Sequence, residues 1–167
     1  MEHNITLIPG DGIGPEVTSA AVKVIENSGV LINWEIVRMG AEVIEEFNTP
    51  LPSYVLESIK KNKIALKGPV TTPVGTGFKS VNVTLRQELN LYANIRPIKT
   101  HEGVPSRYED VDLIIVRENS EDLYAGIEHM VTEDIAESIK IISKKASDRI
   151  AEYAFKLAKE QNRKEVI

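Results

Sequence analysis

The stretch Asn4-Ile5-Thr6-Leu7-Ile8-Pro9-Gly10-Asp11-Gly12-Ile13-Gly14-Pro15-Glu16-Val17 decides how the rest of the chain is read. Asn4 to Ile8 is a short β-type run, three glycines punctuate the turn that follows, and Pro15 stands where a proline is best tolerated, in the first turn of a helix. That helix carries Val17, Ala20, Ala21, Val24 and Ile25 at helical spacing and stops near Gly29. Outward from this opening, Ile32 to Val37 reads as the next strand, Ala41 to Phe47 as helical and Pro50/Pro52 as a break. A helix over Ser53 to Lys61 and a strand at Ile64-Ala65-Leu66 follow. Strands alternating with helices of this length predict an α/β fold, a mainly parallel sheet flanked by helices.

The glycine turn itself admits two readings. Backbone amides at a helix N-terminus favour an anion, whereas a tight strand-to-helix turn needs glycine's positive φ, and the local pattern favours the turn. It is not the dinucleotide fingerprint, whose third glycine would fall at position 15, which is Pro15. A second loop, Lys67 to Gly77, is also punctuated by glycine and proline and also follows a strand. Ligands in open α/β sheets sit beyond the carboxyl ends of strands, so the two loops mark one edge for a site.

Beyond residue 100 the texture changes. Thr100 to Asp110 is polar, and Val111 to Val116 is a near-continuous apolar strand of the kind covered on both faces. Ile135 to Ile142 fits either strand or helix. Ser143 to Gln161 is the clearest helix, with an Ala146, Ile150, Tyr153, Ala154, Leu157 stripe and a Glu152/Lys156 pair.

Composition narrows the function. With 167 residues, 42% of them hydrophobic and 27% charged, the chain is an ordinary folded one. The absence of cysteine excludes thiolate metal sites, iron–sulfur clusters and cysteine nucleophiles. A net charge of −5 argues against a nucleic-acid binder, and no run of about twenty apolar residues argues for a membrane span. No signal-like leader is visible, so the expectation is a soluble, cytoplasmic protein.

The candidate site residues lie between these elements. Ser80 is a natural N-cap for a helix from Val81 to about Leu91, on which Asn82 and Arg86 share one face. Arg96 precedes Pro97 in a short extended apolar segment, and Arg117 ends the most hydrophobic strand. A guanidinium beside buried apolar strands is costly unless an anion meets it, so Arg86, Arg96 and Arg117 point to a polyanionic small molecule. Internal ion pairs with Glu88, Glu118 or Glu121 are an equally open reading. Tyr124, in the polar run after Arg117, is a candidate general acid, a phenol being able to protonate an enolate beside a cation. His3, His101 and His129 do not cluster, which leaves histidine metal chemistry unsupported.

Together, Ile8-Pro9-Gly10-Asp11-Gly12-Ile13-Gly14-Pro15-Glu16, Lys67-Gly68-Pro69, Ser80-Val81-Asn82-Val83-Thr84-Leu85-Arg86, Leu91 to Pro97 and Arg117 to Gly126 resemble, in order, the motifs of the isocitrate/isopropylmalate dehydrogenase family. The resemblance spans essentially the whole chain. It implies the isopropylmalate dehydrogenase-like fold, which is not a Rossmann fold, truncated here, with residues 1–99 as the first part of a large domain and 100–167 as the first part of a small, dimer-forming one. It implies an NAD-dependent enzyme (NADP remaining possible) that oxidises and decarboxylates isocitrate to 2-oxoglutarate. Ser80, Asn82, Arg86, Arg96 and Arg117 then hold the substrate, Tyr124 is the catalytic acid, and Thr71, Thr72 and Asn82 touch the nicotinamide end of the cofactor.

Ser80 and Asn82 favour isocitrate, whose third substituent is a carboxylate, over 3-isopropylmalate, whose third substituent is alkyl. Homoisocitrate and tartrate are further alternatives, as is a non-catalytic tricarboxylate-binding or regulatory fragment. Family members run to about twice this length, with the catalytic lysine and the Mg²⁺- or Mn²⁺-binding aspartates in the second half. The metal is therefore expected to be bound outside this chain, the isolated chain to be inactive, and the enzyme to be a homo-oligomer, a dimer or larger.

Overall fold

The computed structural model describes residues 2–71 and 80–167. They divide into two compact units, Met1–Leu89 and Asn90–Ile167. In the first, strands β1 (Glu2–Ile8), β2 (Leu31–Ile36) and β3 (Ala65–Lys67) form a parallel sheet in the order β2-β1-β3. Helix α1 (Gly14–Asn27) links β1 to β2. A 3₁₀ turn (Ala41–Val43), α2 (Ile44–Phe47) and α3 (Ser53–Asn62) link β2 to β3, and α4 (Val81–Glu88) closes the unit. This strand order differs from the 3-2-1 order of a dinucleotide-binding half and places the switch of direction between β1 and β3.

The core lies on one side of this sheet, where Ile8, Val37 and Met39 meet Val55 and Ile59 of α3 and Val81 and Leu85 of α4. A buried hydrogen bond of 2.8 Å between the Thr6 and Ser58 hydroxyls registers α3 on β1. The apolar stripe of α1 is left largely uncovered, with Val24 73% exposed. Only Gly14 and Thr18 of that helix are buried, because α1 meets the rest of the unit through its first turns.

The carboxyl ends of β1 and β3 are fastened by backbone. Gly68 donates to the Ile8 carbonyl (2.8 Å) and Asp11 to that of Pro69 (3.0 Å). A Cβ on Gly10, at φ +80°, would stand 1.8 Å from the Pro69 carbonyl oxygen, and one on Gly68 would stand 2.1 Å from that of Pro9. The turn reading of the first loop therefore holds, since the Asp11 and Gly14 amides already serve the Pro69 and Asp11 carbonyls.

In the second unit β4 (Ala93–Lys99) pairs antiparallel with β5 (Asp112–Glu118), and β6 (Asp122–Met130) with β7 (Ala136–Ile141). Helix α5 (Lys144–Glu160) packs on β5. The parallel expectation holds for β1 to β3 and fails here, because no helix intervenes between β4 and β5. Residues 100–111 instead close the loop between those two antiparallel strands, with Thr100 donating to the Val111 carbonyl. The expectation that β5 is covered on both faces is also wrong. Ile114 and Val116 face Ala154 and Leu157 of α5, whereas Leu113 and Ile115 are 44% and 45% exposed on the other face. Among the described residues, no helix is long and apolar enough to cross a membrane.

Gly10 and Gly12 separate backbone contact from backbone conformation. Gly10→Ala forces β1 and β3 apart and is expected to destabilise the first unit by more than about 3 kcal/mol. Gly12, at φ +58° with nothing near its Cβ position, is expected to lose about 1 kcal/mol as alanine, the cost of an L side chain in that conformation. Urea unfolding of the two variants measures both; equal losses would contradict the contact.

Candidate functional site

In the second unit the register of the β4–β5 ribbon aligns the arginines. Arg96 is opposite Ile115 and Arg117 opposite Asn94, and residues two apart on a strand share a face. Arg96 and Arg117 are thus diagonal neighbours on the exposed face, roughly 7 Å apart at the backbone. Because both are exposed, the sequence argument from buried guanidinium does not apply to them. The remaining argument is stronger: two like charges share one face, and no salt bridge among the described residues joins either to a carboxylate.

Two of the three acids offered as internal partners, Glu118 and Glu121, are engaged elsewhere. Glu118 accepts from the Ser120 hydroxyl and from the amides of Ser120 and Glu121, and lies 3.5 Å from Arg149. Glu121 accepts from the backbone amide (2.7 Å) and hydroxyl (2.6 Å) of Ser143. Ser143 in turn caps α5, accepting from the Ala146 amide. Arg117 instead meets Tyr124 on β6, with a guanidinium nitrogen 3.5 Å from the phenol oxygen and Cζ 5.6 Å from the ring centroid.

Arg149 on α5 holds this arrangement from behind. Its guanidinium lies 4.1 Å over the Tyr92 ring and donates to Asn90 Oδ1 and Ser120 Oγ, both at 3.0 Å. It therefore joins the start of β4 to the end of β5, beside the Asn119 amide that donates to the Tyr92 carbonyl. Sequence reading missed Arg149, since a lone arginine on an amphipathic helix carries no local signal. It also missed Asn119, 6% exposed, although that residue sits inside the quoted polar run.

In the first unit Ser80 occupies the N-cap of α4, but its hydroxyl makes no capping bond. Its carbonyl accepts from Thr84 instead, which corrects the capping expectation. Among the described residues Asn82 Oδ1 is buried with no hydrogen-bond partner, so it is an acceptor in need of a donor. Arg86 is half-buried. Burial first, and then the charge of Arg86, push the Lys67 ammonium below its usual value, while Asp11 opposes them. Lys67 stands at the end of β3 with Nζ donating to the Gly68 carbonyl at 2.7 Å, and the sequence offers it only as part of the Lys67-Gly68-Pro69 motif.

Thr71 is exposed, its amide donating to Asp11 Oδ1 at 2.8 Å. Thr72 lies outside the described residues. The structure thus gathers Arg96, Arg117 and Tyr124 within the second unit, and Thr71, Ser80, Asn82 and Arg86 within the first.

The isocitrate/isopropylmalate dehydrogenase family model matches residues 4–167. The chain belongs to that family. It is 51% identical to catalytic subunit 6 of the mitochondrial NAD isocitrate dehydrogenase of Arabidopsis thaliana, over 96% of this chain and 43% of that protein. It is 49% identical to the chloroplastic 3-isopropylmalate dehydrogenase of Solanum tuberosum, over 96% of this chain and 45% of that one. The crystal structure of an isocitrate dehydrogenase from Methylococcus capsulatus superposes with a TM-score of 0.90 at 55% identity, covering 97% of this chain and 49% of the other. The family fold is therefore present, and the chain spans about half the length of the relatives it matches.

Glu118 supplies a pH signature. Burial tends to raise its pKa, but hydrogen bonds from the Ser120 hydroxyl and from the Glu121, Ser120 and Asn119 amides outweigh burial and hold it below 4.5. A depressed folded value contributes stability above the unfolded pKa that is lost as pH falls through the folded one. Urea unfolding between pH 6 and 3 is expected to show this acid loss in the second unit. Ser120→Ala is expected to lower stability by about 1 kcal/mol at pH 6 and to make the loss shallower; an unchanged slope would contradict it.

Proposed function

We propose that this chain supplies the carboxylate-binding and proton-donating side of an NAD-dependent isocitrate dehydrogenase, residues 1–99 and 100–167 being the first parts of its large and small domains. The observation that carries the reading is the exposed pair Arg96 and Arg117, on one face, without carboxylate partners among the described residues and with Tyr124 against Arg117. Two guanidinia this close are relieved by a dianion, and each charge-assisted hydrogen bond contributes roughly 1.5–3 kcal/mol.

Isocitrate is favoured over 3-isopropylmalate by Ser80 and Asn82. The Ser80 hydroxyl makes no capping bond, and it and the Asn82 side-chain NH₂ are donors that a carboxylate accepts from and an alkyl group does not. The Asn82 oxygen, buried without a partner among the described residues, needs a donor instead. The same oxygen fits the carboxamide of a nicotinamide, so Thr71 and Asn82 are the described residues that would hold NAD. When bound, NAD accepts hydride from the hydroxyl-bearing carbon.

In this reading Arg96 and Arg117 bind and orient the substrate carboxylates, with Arg86 as a further cation. After the β-carboxylate is lost, Tyr124 gives its phenol proton to the enolate carbon, and the Arg117 guanidinium stands beside the oxygen left negative. Among the described residues no three His, Asp or Glu side chains converge. They do not make a metal site, and no step here runs through a metal.

The hairpin β6–β7 supports a homo-oligomer. It is exposed along most of both faces, with Ile127, Met130 and Ile139 40–60% exposed, and a two-stranded hairpin is marginal without a partner.

Initial rates of isocitrate oxidation by the full-length protein with NAD and Mn²⁺ test the proposal. Turnover is expected, with Arg117→Gln lowering kcat/KM for isocitrate by about 10- to 150-fold. Tyr124→Phe is expected to lower kcat by about 10²-fold or more with little change in KM. No turnover, or full activity of Arg117→Gln, would overturn it.

A further inference from the structure

The loops that follow all three parallel strands of the first unit converge on one carboxylate. Asp11 follows β1; its Oδ1 accepts from the amide of Thr71, which follows β3, at 2.8 Å, and its Oδ2 from the amide of Ala41, which follows β2, at 3.4 Å. Its own amide donates to the Pro69 carbonyl at 3.0 Å. The side chain is half-buried, and no salt bridge among the described residues engages it. Gly40, at φ +110°, makes room for it, since a Cβ there would stand 2.7 Å from Asp11 Oδ2 and 2.8 Å from Val70 Cγ1.

A tight turn explains the glycines around Asp11 but not its side chain, because the backbone bonds from Gly68 to Ile8 and from Asp11 to Pro69 already fasten the two loops. What the carboxylate adds is one residue further along: it fixes the amide of Thr71, the point where the chain leaves the sheet edge. We infer that Asp11 is a positioning residue that sets the cofactor-side loop through Thr71, while making no contact with substrate itself. This deepens the function proposed above and rests on it for the identity of the ligand.

An acceptor at Oδ1 suffices for the Thr71 contact, so Asp11→Asn should preserve it and Asp11→Ala should abolish it. Gly40→Ala should weaken it from the far side by displacing the carboxylate. Amide hydrogen exchange at Thr71 reads this contact in the full-length protein without cofactor. Exchange is expected to accelerate about 10-fold or more in Asp11→Ala and Gly40→Ala and to stay within about 3-fold of the unsubstituted chain in Asp11→Asn.

In the full-length protein, Asp11→Ala is expected to raise KM for NAD about 10-fold while KM for isocitrate stays unchanged, and Asp11→Asn to restore most of the difference. Unchanged Thr71 exchange in Asp11→Ala overturns the inference, and so does an equal rise in both KM values, which marks a general loss of structure. An unsubstituted protein that binds no NAD, tested by calorimetry, overturns the cofactor role. A protein that binds NAD with the expected Asp11 dependence but does not oxidise isocitrate counts against the function proposed above and leaves the role of Asp11 standing.

Discussion

The first unit depends on the contact of three backbones at the carboxyl ends of β1 and β3. Where Gly10, Gly14 and Gly68 meet the Pro9 and Pro69 carbonyls, no position has room for a Cβ, and hydrogen bonds between the loops fix their spacing. Open sheets leave a crevice at such a switch of direction, and here backbone fills it. In the function proposed above, a ligand at this edge therefore meets side chains and amides further along the loops, at Thr71 and α4, rather than the glycine turn itself. The same contact leads the chain into α1 through Gly14 and Pro15.

The second unit solves a different problem, which is to keep two arginines available. Glu118 and Glu121 flank the loop after Arg117, and either would neutralise it if left unengaged. Instead, Glu118 is satisfied by the turn it begins and by Arg149, and Glu121 by the capping serine of α5. Carboxylates with several donors of their own gain little from a further cation. Arg149 closes this set by stacking on Tyr92, so that helix, ribbon and turn carry the exposed cationic face as one piece.

Much of this was legible in the sequence, for identifiable reasons. The strand, glycine turn, Pro15 and apolar helix spacing determine β1 and α1 locally, and the parallel pairing follows from helices long enough to cross over. The family was legible because its motifs are long and occur in order along the chain. The openness of β5 was not, since Leu113 to Val116 are all apolar and periodicity carries no signal when both faces are apolar. Strand β6 was missed because its start lies in the polar run that ends at Gly126. Ser80 does stand at the N-cap of α4, but residue type does not reveal whether an N-cap hydroxyl makes the capping bond, and here it does not. The Asp11–Thr71 contact, sixty residues apart in sequence, and the Arg149 stack on Tyr92 are tertiary facts with no local trace.

In the function proposed above, the hydrogen-bond donors of Ser80 and Asn82 at the start of α4 carry the choice of isocitrate over 3-isopropylmalate. The ratio of kcat/KM for isocitrate to that for 3-isopropylmalate, measured on the full-length protein under one condition, tests that choice most directly. Leaving buried polar groups unpaired costs several kcal/mol in a site built to use them, so isocitrate is expected to be favoured by about 10²-fold or more. A ratio at or below unity would contradict the assignment of these residues to a third carboxylate.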